Sequence, residues 1–178
     1  KGNVDLNLPL FSKKPILVVL NVDEKDLTRS SAYAQMYVKE LEVKEDQIVV
    51  ISANTEAELA SLSEDEQKEY LKDLGIEESG LERLAQKAFA TLGLITFLTA
   101  GVKEVRAWTI RHGSTALRAS SVIHTDFAEK FKTAAVVNCQ DFISFGGGAA
   151  CREKGKTRLE GKDYIVQDGD VIEFKIGS

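Results

Sequence analysis

Two short aliphatic runs, residues 15–20 ("PILVVL") and 47–52 ("QIVVIS"), stand on either side of a segment with helical character. Short apolar runs that end in polar residues are typical of strands covered on both faces of a parallel sheet. The intervening segment, from about Thr28 to Leu41, is predicted to be a helix with Ala32, Met36 and Leu41 on its inner side. Strand, helix and strand in this order predict a parallel α/β sheet.

Two further helices are predicted by capping boxes, in which a serine is followed three positions later by a glutamate. Ser63 with Glu66 opens a helix that Gly75 is expected to end, and Ser79 with Glu82 opens one that Gly93 is expected to end. The second helix has an apolar stripe that we expect to pack on another element. This stripe consists of Leu81, Leu84, Ala85, Ala88, Phe89 and Leu92.

From residue 94 the chain becomes rich in β-forming residues. "LITFLTA" and "EVRAWTI", separated by "GVK", predict a hairpin. Short helices near 114–121 and 126–131, a strand at 132–138 and a short helix ended by glycines in "CQDFISFGG" are expected next. The last segment, "KDYIVQDGDVIEFKI", predicts two strands around a Gln-Asp-Gly-Asp turn. A small mixed sheet that grips a helix fits this order, whereas residues 1–13 show no clear periodicity.

The net charge of −5 is unevenly distributed along the chain. Residues 1–91 carry a net charge of −7 and residues 92–178 a net charge of +2, which predicts two domains that divide near residue 92. The second domain is the more suited to approach a polyanion. No apolar run is long enough to span a bilayer. Two cysteines, Cys139 and Cys151, without a CxxC motif are typical of reduced thiols in a cytoplasmic protein.

Several residues that could carry chemistry are set aside by their context. Gly155-Lys156-Thr157 resembles the end of a phosphate-binding P-loop, but that motif needs a glycine at position 150, which is alanine. His112 and His124 have no metal-ligand spacing to a cysteine or to each other. His124 is expected to mark the start of a helix, and no metal site is predicted.

Asn21-Val22-Asp23-Glu24 follows the first strand, and Ser52-Ala53 closes the second. Ligands of open α/β sheets bind just beyond the carboxyl ends of the strands. An Asn-x-x-acid segment paired with Ser-Ala resembles the base-recognition loops of P-loop GTPase-like domains, where Asn-Lys-x-Asp is usual. The candidate base-binding residues are therefore Asn21, Val22, Glu24, Ser52 and Ala53. In the alternative interpretation, Asn21 caps a turn and the carboxylates are solvated.

The replacement of Lys by Val22 and of Asp by Glu24 changes the base that such a site would favour. Guanine offers N1–H and N2–H donors to a well-placed carboxylate, whereas adenine presents an acceptor at N1. A longer Glu displaces the carboxylate, so guanine loses its advantage. Asn21 can still pair with the adenine N6 donor and N7 acceptor, and Val22 can lie against the ring.

The segment "CREKGKTRLEGK", residues 151–162, is a candidate RNA contact. It places five cations against two acids in the net-positive half of the chain. The cations are Arg152, Lys154, Lys156, Arg158 and Lys162. A solvated surface segment is the alternative.

From about Lys13 to Ser178 the chain resembles the C-terminal half of the YchF family, the Obg-like ATPases. The motifs that carry the resemblance are "KPILVVLNVDE", "ISA", "GLITFLTAGVKEVRAWTIRHGSTA", "VIHTDFAEKF" and "RLEGKDYIVQDGDVIEFKI". The resemblance implies the C-terminal part of a P-loop GTPase-like domain at 1–92, followed at 93–178 by a TGS domain, which is a ubiquitin-like β-grasp module. It also implies a preference for ATP over GTP and an association with the ribosome in the cytoplasm.

The family's P-loop, its Mg²⁺-binding Thr or Ser and its switch regions would all lie upstream of residue 1. The resemblance thus implies a longer ATP-hydrolysing protein that uses Mg²⁺, of which this chain supplies the base loops and the TGS domain. We expect the chain alone to have no ATPase activity, because phosphoryl transfer needs those upstream parts. The alternative is a non-enzymatic module that binds RNA or the ribosome or has a regulatory role.

Overall fold

The computed structural model describes residues 14–101 and 104–177, which form two compact units on either side of the Leu92–Gly93 bond. We call them unit 1 and unit 2. Residues 1–13, for which no periodicity is found, lie outside the described residues. So do residues 102 and 103 of the "GVK" connection.

Unit 1 is built on two parallel strands. The strands pair directly, with Val18 opposite Ile48 and Asn21 opposite Ile51, which confirms the predicted parallel sheet. The strands are β1 (Val18–Asn21) and β2 (Ile48–Ile51), and the helices are α1 (Ser30–Glu40), α2 (Ala53–Leu59), α3 (Glu64–Asp73) and α4 (Gly80–Thr91). Short 3-10 turns at Glu24–Arg29 and Glu45–Gln47 precede α1 and β2.

Helix α1 packs on the strands through a different face from the one predicted. Ala34 is buried against Ile48 and Val50, with partly buried Tyr33, Tyr37 and Val38 around them. Met36 is 63% exposed and Leu41 is 41% exposed, and Ala32 is also exposed, so the predicted inner side was wrong. Ala32 and Met36 each lie two positions from Ala34, about 200° around a helix, so they cannot share its face, and Leu41 lies beyond the end of α1. The bulkier Tyr and Val set is the one that the sheet buries.

The capping boxes of α3 and α4 are confirmed. The Ser63 amide donates to the Glu66 carboxylate at 2.8 Å, and the Ser79 amide donates to Glu82 at 3.1 Å. Gly75 and Gly93 follow the two helices with φ of 71° and 62°, as their role in ending helices predicts.

The apolar stripe of α4 is only partly covered, and two cations of the helix reach β2. Arg83 Nη2 donates to the Val50 carbonyl at 3.1 Å and Lys87 Nζ donates to the Ile48 carbonyl at 2.7 Å. Leu84 and Ala88 of the stripe are half-buried, whereas Leu81 and Leu92 are more than half exposed. Within the described residues, the expectation that the whole stripe is packed was wrong.

Unit 2 is a five-stranded mixed sheet. Its strands are β3 (Leu94–Ala100), β4 (Val105–Arg111), β5 (Phe131–Asn138), β6 (Arg158–Glu160) and β7 (Asp170–Ile176), and their order in the sheet is β4-β3-β7-β5-β6. The predicted β3–β4 hairpin is antiparallel, and β7 lies in the middle of the sheet, parallel to β3 and antiparallel to β5. This order is that of a β-grasp fold. The helices of unit 2 are α5 (Ala116–Ile123), α6 (Thr125–Glu129), α7 (Cys139–Phe145) and α8 (Gly148–Glu153).

Helix α5 packs against the sheet of unit 2. Ala116 and Ala119 are fully buried, and they belong to one core cluster with Phe97, Val136 and Ile172. Small residues on the helix let it approach the larger side chains of the sheet, as close packing requires.

The last segment differs from the prediction of two strands around a turn. Only β7 forms a full strand, whereas Ile165 makes a single bridge to Thr115, and β6 was not predicted. Asp170 explains the difference, because its buried carboxylate accepts from the Gln167 amide at 2.9 Å and the Tyr164 hydroxyl at 2.7 Å. These bonds close a tight loop, and both edges of β7 are already paired, with β3 and with β5, so the residues before the loop form no ladder with it.

Tyr164 gives unit 2 a dependence on alkaline pH. Burial, and then its hydrogen bond to the Asp170 carboxylate, raise the pKa of the Tyr164 phenol to about 12. Because the pKa in the folded chain exceeds the ordinary value near 10, the protonated phenol favours folding below about pH 10. That contribution is lost as pH rises from about 10 toward 12.

We therefore predict that the unfolding midpoint of unit 2 falls with rising pH in this window, and that Tyr164→Phe flattens the fall. Trp108 fluorescence in urea at a series of pH values measures the midpoint, because Trp108, the chain's single tryptophan, lies in unit 2. Parallel curves for the two proteins would contradict the prediction.

Gly80 is required where α4 meets the end of β2. A Cβ atom built on Gly80 would stand 2.7 Å from Ile51 Cγ2, and the Gly80 amide donates to Glu56 Oε1 at 2.6 Å. Any side chain would push α4 away from both partners.

We predict that Gly80→Ala lowers the free energy of unfolding of unit 1 by about 1–3 kcal/mol, the usual cost of overpacking. Helical circular dichroism during urea unfolding measures it, with Trp108 fluorescence reporting unit 2 separately. Gly161→Ala is the control, because no atom lies within 4 Å of its Cβ position. Equal stability of Gly80→Ala and wild type would show that the helix shifts without cost.

Candidate nucleotide-base site

A cavity of about 480 Å³ lies at the carboxyl ends of β1 and β2 in unit 1. Its size falls within the range of about 300–1,000 Å³ that is usual for small-molecule pockets. The polar part of its lining comes from the two segments that follow the strands, and an aromatic part comes from α1. The lining residues used below are Asn21, Val22, Asp23, Asp26, Tyr33, Tyr37, Ser52 and Asn54.

The Asn21 side chain joins the two strand ends. Its Oδ1 accepts a hydrogen bond of 2.9 Å from the Ala53 amide, and the Val22 amide donates to the Ile51 carbonyl at the same distance. Because an amide N–H can only donate, Oδ1 must face Ala53, which sets the orientation of the Asn21 amide. In the described residues Nδ2 has no hydrogen-bond partner, so both of its hydrogens remain for a ligand.

Ser52 has a local structural task. It is 2% exposed, and its Oγ accepts from the Thr55 amide at 3.4 Å, which caps α2. The serine thus orients the segment in which Ala53 presents its backbone amide to Asn21.

Two carboxylates on the cavity wall have partners of their own. Asp23 lies 3.7 Å from Lys25 Nζ, and Asp26 lies 4.0 Å from Arg29. Burial, and then the neighbouring Asp26 carboxylate, raises the pKa of the Tyr33 phenol above its ordinary value. The wall therefore carries less free negative charge than the sequence "NVDEKD" indicates.

The Glu24 carboxylate does not lie on the cavity wall. The Tyr70 hydroxyl on α3 lies within hydrogen-bond distance of two carboxylates, Glu24 Oε2 at 3.0 Å and Glu58 Oε2 of α2 at 2.6 Å. Hydrogen bonding to Glu58 and Glu24 raises the pKa of the Tyr70 phenol well above its ordinary value.

The sequence-predicted base residues are thus only partly brought together. Asn21, Val22 and Ser52 line the cavity, Ala53 contacts it through Asn21, and Glu24 turns to Tyr70. Sequence reasoning missed Tyr33 and Tyr37, although their spacing of four residues places them on one face of α1. No local pattern could reveal Tyr70, which is 46 residues from Glu24.

Three of the five cations of the basic segment 151–162 have acidic partners within unit 2. Arg152 lies 3.8 Å from Glu173, and Lys156 lies 3.6 Å from Asp141. Arg158 Nη2 lies 3.6 Å from buried Asp170 and its guanidinium lies over the Tyr164 ring. Lys154 and Lys162 form no ion pair with the described residues.

Gly155-Lys156-Thr157 forms the turn between α8 and β6, with Gly155 at φ 68°. His124 caps α6, as predicted, because its Nδ1 accepts from the Asp126 amide at 3.2 Å. Cys139 and Cys151 are free thiols. Among residues 14–101 and 104–177, no cluster of three or more His, Cys, Asp or Glu side chains could hold a metal ion. No helix in this described part has the length and apolar character needed to cross a membrane.

Comparison with protein families and curated proteins identifies close relatives. A family model named YchF-GTPase_C, described as a protein of unknown function (DUF933), matches residues 94–177. The ribosome-binding ATPase YchF of Haemophilus influenzae is 50% identical over 163 residues, which are 91% of this chain and 44% of that protein. The protein of the same name from Bacillus subtilis is 42% identical over 170 residues, 94% of this chain and 46% of that protein.

Two solved structures share the fold. The YchF GTPase of Schizosaccharomyces pombe aligns with a TM-score of 0.75 and 32% identity, over 91% of this chain and 43% of that chain. A GTP-binding protein from Pyrococcus horikoshii aligns with a TM-score of 0.59 and 19% identity, over 92% of this chain and 46% of that chain, and shows the fold alone. The chain spans less than half the length of these relatives.

Proposed function

We propose that this chain, which belongs to the YchF family over the span that it shares with those relatives, supplies the base-recognition loops of a ribosome-associated ATPase. In this proposal ATP is preferred over GTP, and unit 2 acts as a TGS domain. The phosphates and Mg²⁺ are held by parts of a longer protein, because no GxxxxGK[ST] motif occurs in these 178 residues. The protein works in the cytoplasm, where ribosomes are.

The observation that supports base recognition is the fixed orientation of the Asn21 amide. Oδ1 is anchored on the Ala53 amide at 2.9 Å, which leaves the Nδ2 hydrogens for an acceptor such as N7 of adenine. Because a carbonyl oxygen has two lone pairs, Oδ1 can also accept from the exocyclic N6 amine. Val22 and Tyr37 on the cavity wall give a planar base apolar surface to lie on.

The charges around the cavity support the proposed preference for adenine. Guanine would need a free carboxylate to accept from N1–H and N2–H. Asp23 and Asp26 are paired with cations and Glu24 is hydrogen-bonded to Tyr70, so none of the three is free of partners. Adenine does not depend on such a group.

We predict that Asn21→Asp in a full-length protein that contains these residues weakens ATP binding by about 1–3 kcal/mol, the worth of a good paired base contact. The variant keeps the oxygen that accepts from Ala53, but it replaces the Nδ2 donor with a carboxylate oxygen that repels N7. Isothermal titration with ATP measures the change.

Asn138→Asp is the matched control, because it makes the same chemical change at the cap of α7 in unit 2, where aspartate caps equally well. Its ATP affinity should equal that of wild type. If Asn21→Asp also bound ATP like wild type, Asn21 would have only the structural task of joining the strand ends.

The second part of the proposal is that unit 2 contacts ribosomal RNA through the segment 151–162. Lys154 and Lys162 support it most, because both are exposed and neither forms an ion pair with described residues. Arg152, Lys156 and Arg158 can add to the contact, but each already faces an acid. A non-enzymatic RNA-binding module is the alternative function that the same segment would serve.

We predict that Lys154→Ala/Lys162→Ala weakens ribosome binding and flattens its dependence on salt. Each lysine–phosphate interaction that the substitutions remove should reduce the slope of log affinity against log salt by about 0.7–0.9, because fewer counterions are released on binding. Ribosome sedimentation of the full-length protein over a salt series measures both quantities.

Lys130→Ala/Lys175→Ala, which removes the same charge from exposed positions outside the segment, is the control. An unchanged slope in Lys154→Ala/Lys162→Ala would make the segment an ordinary solvated surface. Ribosome binding by unit 2 together with an absence of nucleotide binding by the full-length protein would favour the non-enzymatic module.

A further inference from the structure

Three segments of unit 1 meet at one hydroxyl group. Tyr70 of α3 places its phenol oxygen 2.6 Å from Glu58 Oε2 of α2 and 3.0 Å from Glu24 Oε2, at the start of the turn that follows β1. Glu24 is three residues from Asn21 in the sequence and next to Asp23, which lines the cavity. Nothing in the sequence spacing requires Glu24 to turn toward α3 rather than toward the cavity.

The two contacts of the Tyr70 hydroxyl are not equivalent. A phenol has one hydrogen to donate, and an O–H to carboxylate bond of about 2.5–2.7 Å is charge-assisted and strong. The contact with Glu58 has that length, whereas the contact with Glu24 is longer. Glu58 thus competes with Glu24 for the hydrogen, and its negative charge repels Glu24.

The position of Glu24 matters for the base. A carboxylate that faced the cavity would accept hydrogen bonds from guanine and would repel the N1 lone pair of adenine. When it is held on Tyr70, the Glu24 carboxylate can neither accept hydrogen bonds from guanine nor repel adenine.

We propose that Tyr70 is a positioning residue that holds the Glu24 carboxylate away from the base cavity and so sets the preference for adenine over guanine. The inference rests on the proposed nucleotide function of the cavity. The selectivity between adenine and guanine then depends on a contact between α3 and the turn after β1, made by residues that do not touch the base.

The test compares the dissociation constants of ATP and GTP for variants of a full-length protein that contains this chain. Tyr70→Phe removes only the hydroxyl and frees Glu24. We expect the ratio of the GTP constant to the ATP constant to fall about three- to tenfold, the equivalent of one hydrogen bond. In the Glu24→Gln background, Tyr70→Phe should leave the ratio unchanged, because no carboxylate is then released.

Two single variants keep the proposal falsifiable should Tyr70→Phe fold poorly. Glu24→Gln alone should keep the wild-type ratio, since its carboxylate is already outside the cavity. Glu58→Gln should keep the ratio at or above the wild-type value, because a neutral amide oxygen competes less strongly than a carboxylate for the Tyr70 hydrogen. Val22→Lys/Glu24→Asp, which restores the usual guanine-reading residues, shows whether the assay detects a shift toward GTP.

An unchanged ratio in folded Tyr70→Phe would overturn the proposal, as would a changed ratio in Glu24→Gln. A fall in both Tyr70→Phe and Glu58→Gln would also overturn it, since that result indicates loosened packing of α2 and α3. The proposed function fails separately, if wild type binds neither nucleotide, whereas wild-type ATP binding by Asn21→Asp removes only the base-reading role of Asn21.

Discussion

Parallel pairing of β1 with β2 is the constraint on which the candidate site depends. Because the strands run in the same direction, Asn21 and Ala53 reach the same edge of the sheet, where the Ala53 amide donates to the Asn21 side chain. This bond orients the Asn21 amide and fixes which of its atoms remain for a ligand. A loop of more than twenty residues that includes α1 then brings Tyr33 and Tyr37 to the cavity wall.

The acidic character of the segment after β1 is moderated by its neighbours. Asp23, Asp26 and Glu24 each have a partner, which is Lys25, Arg29 or the hydroxyl of Tyr70. Exposed ion pairs contribute little to the free energy of unfolding. The main effect of these contacts is therefore to orient the carboxylates. The selectivity of such a cavity is decided as much by groups kept out of it as by groups that line it.

Unit 2 depends on a buried acid in a comparable way. Asp170 is 2% exposed, yet it accepts from Tyr164 and from the Gln167 amide, and it lies 3.6 Å from Arg158. A buried carboxylate is tolerated only when such partners surround it. They close the loop before β7, the central strand of the sheet. Arg158 is therefore partly committed to the fold, although the sequence presents it as one member of a basic cluster.

The sequence by itself determined the local elements and the motifs. Aliphatic runs predicted β1, β2 and β5, capping boxes with glycines predicted α3 and α4, and Asn21 with Ser52-Ala53 indicated the edge where a base site could form. Each of these depends on residues close together in the chain. Only the tertiary structure decided which face of α1 is buried, how much of the stripe of α4 is covered and that Glu24 turns to Tyr70. Those outcomes depend on contacts between residues far apart in sequence, such as Tyr70 with Glu24 and Arg83 with Val50, which no local pattern encodes.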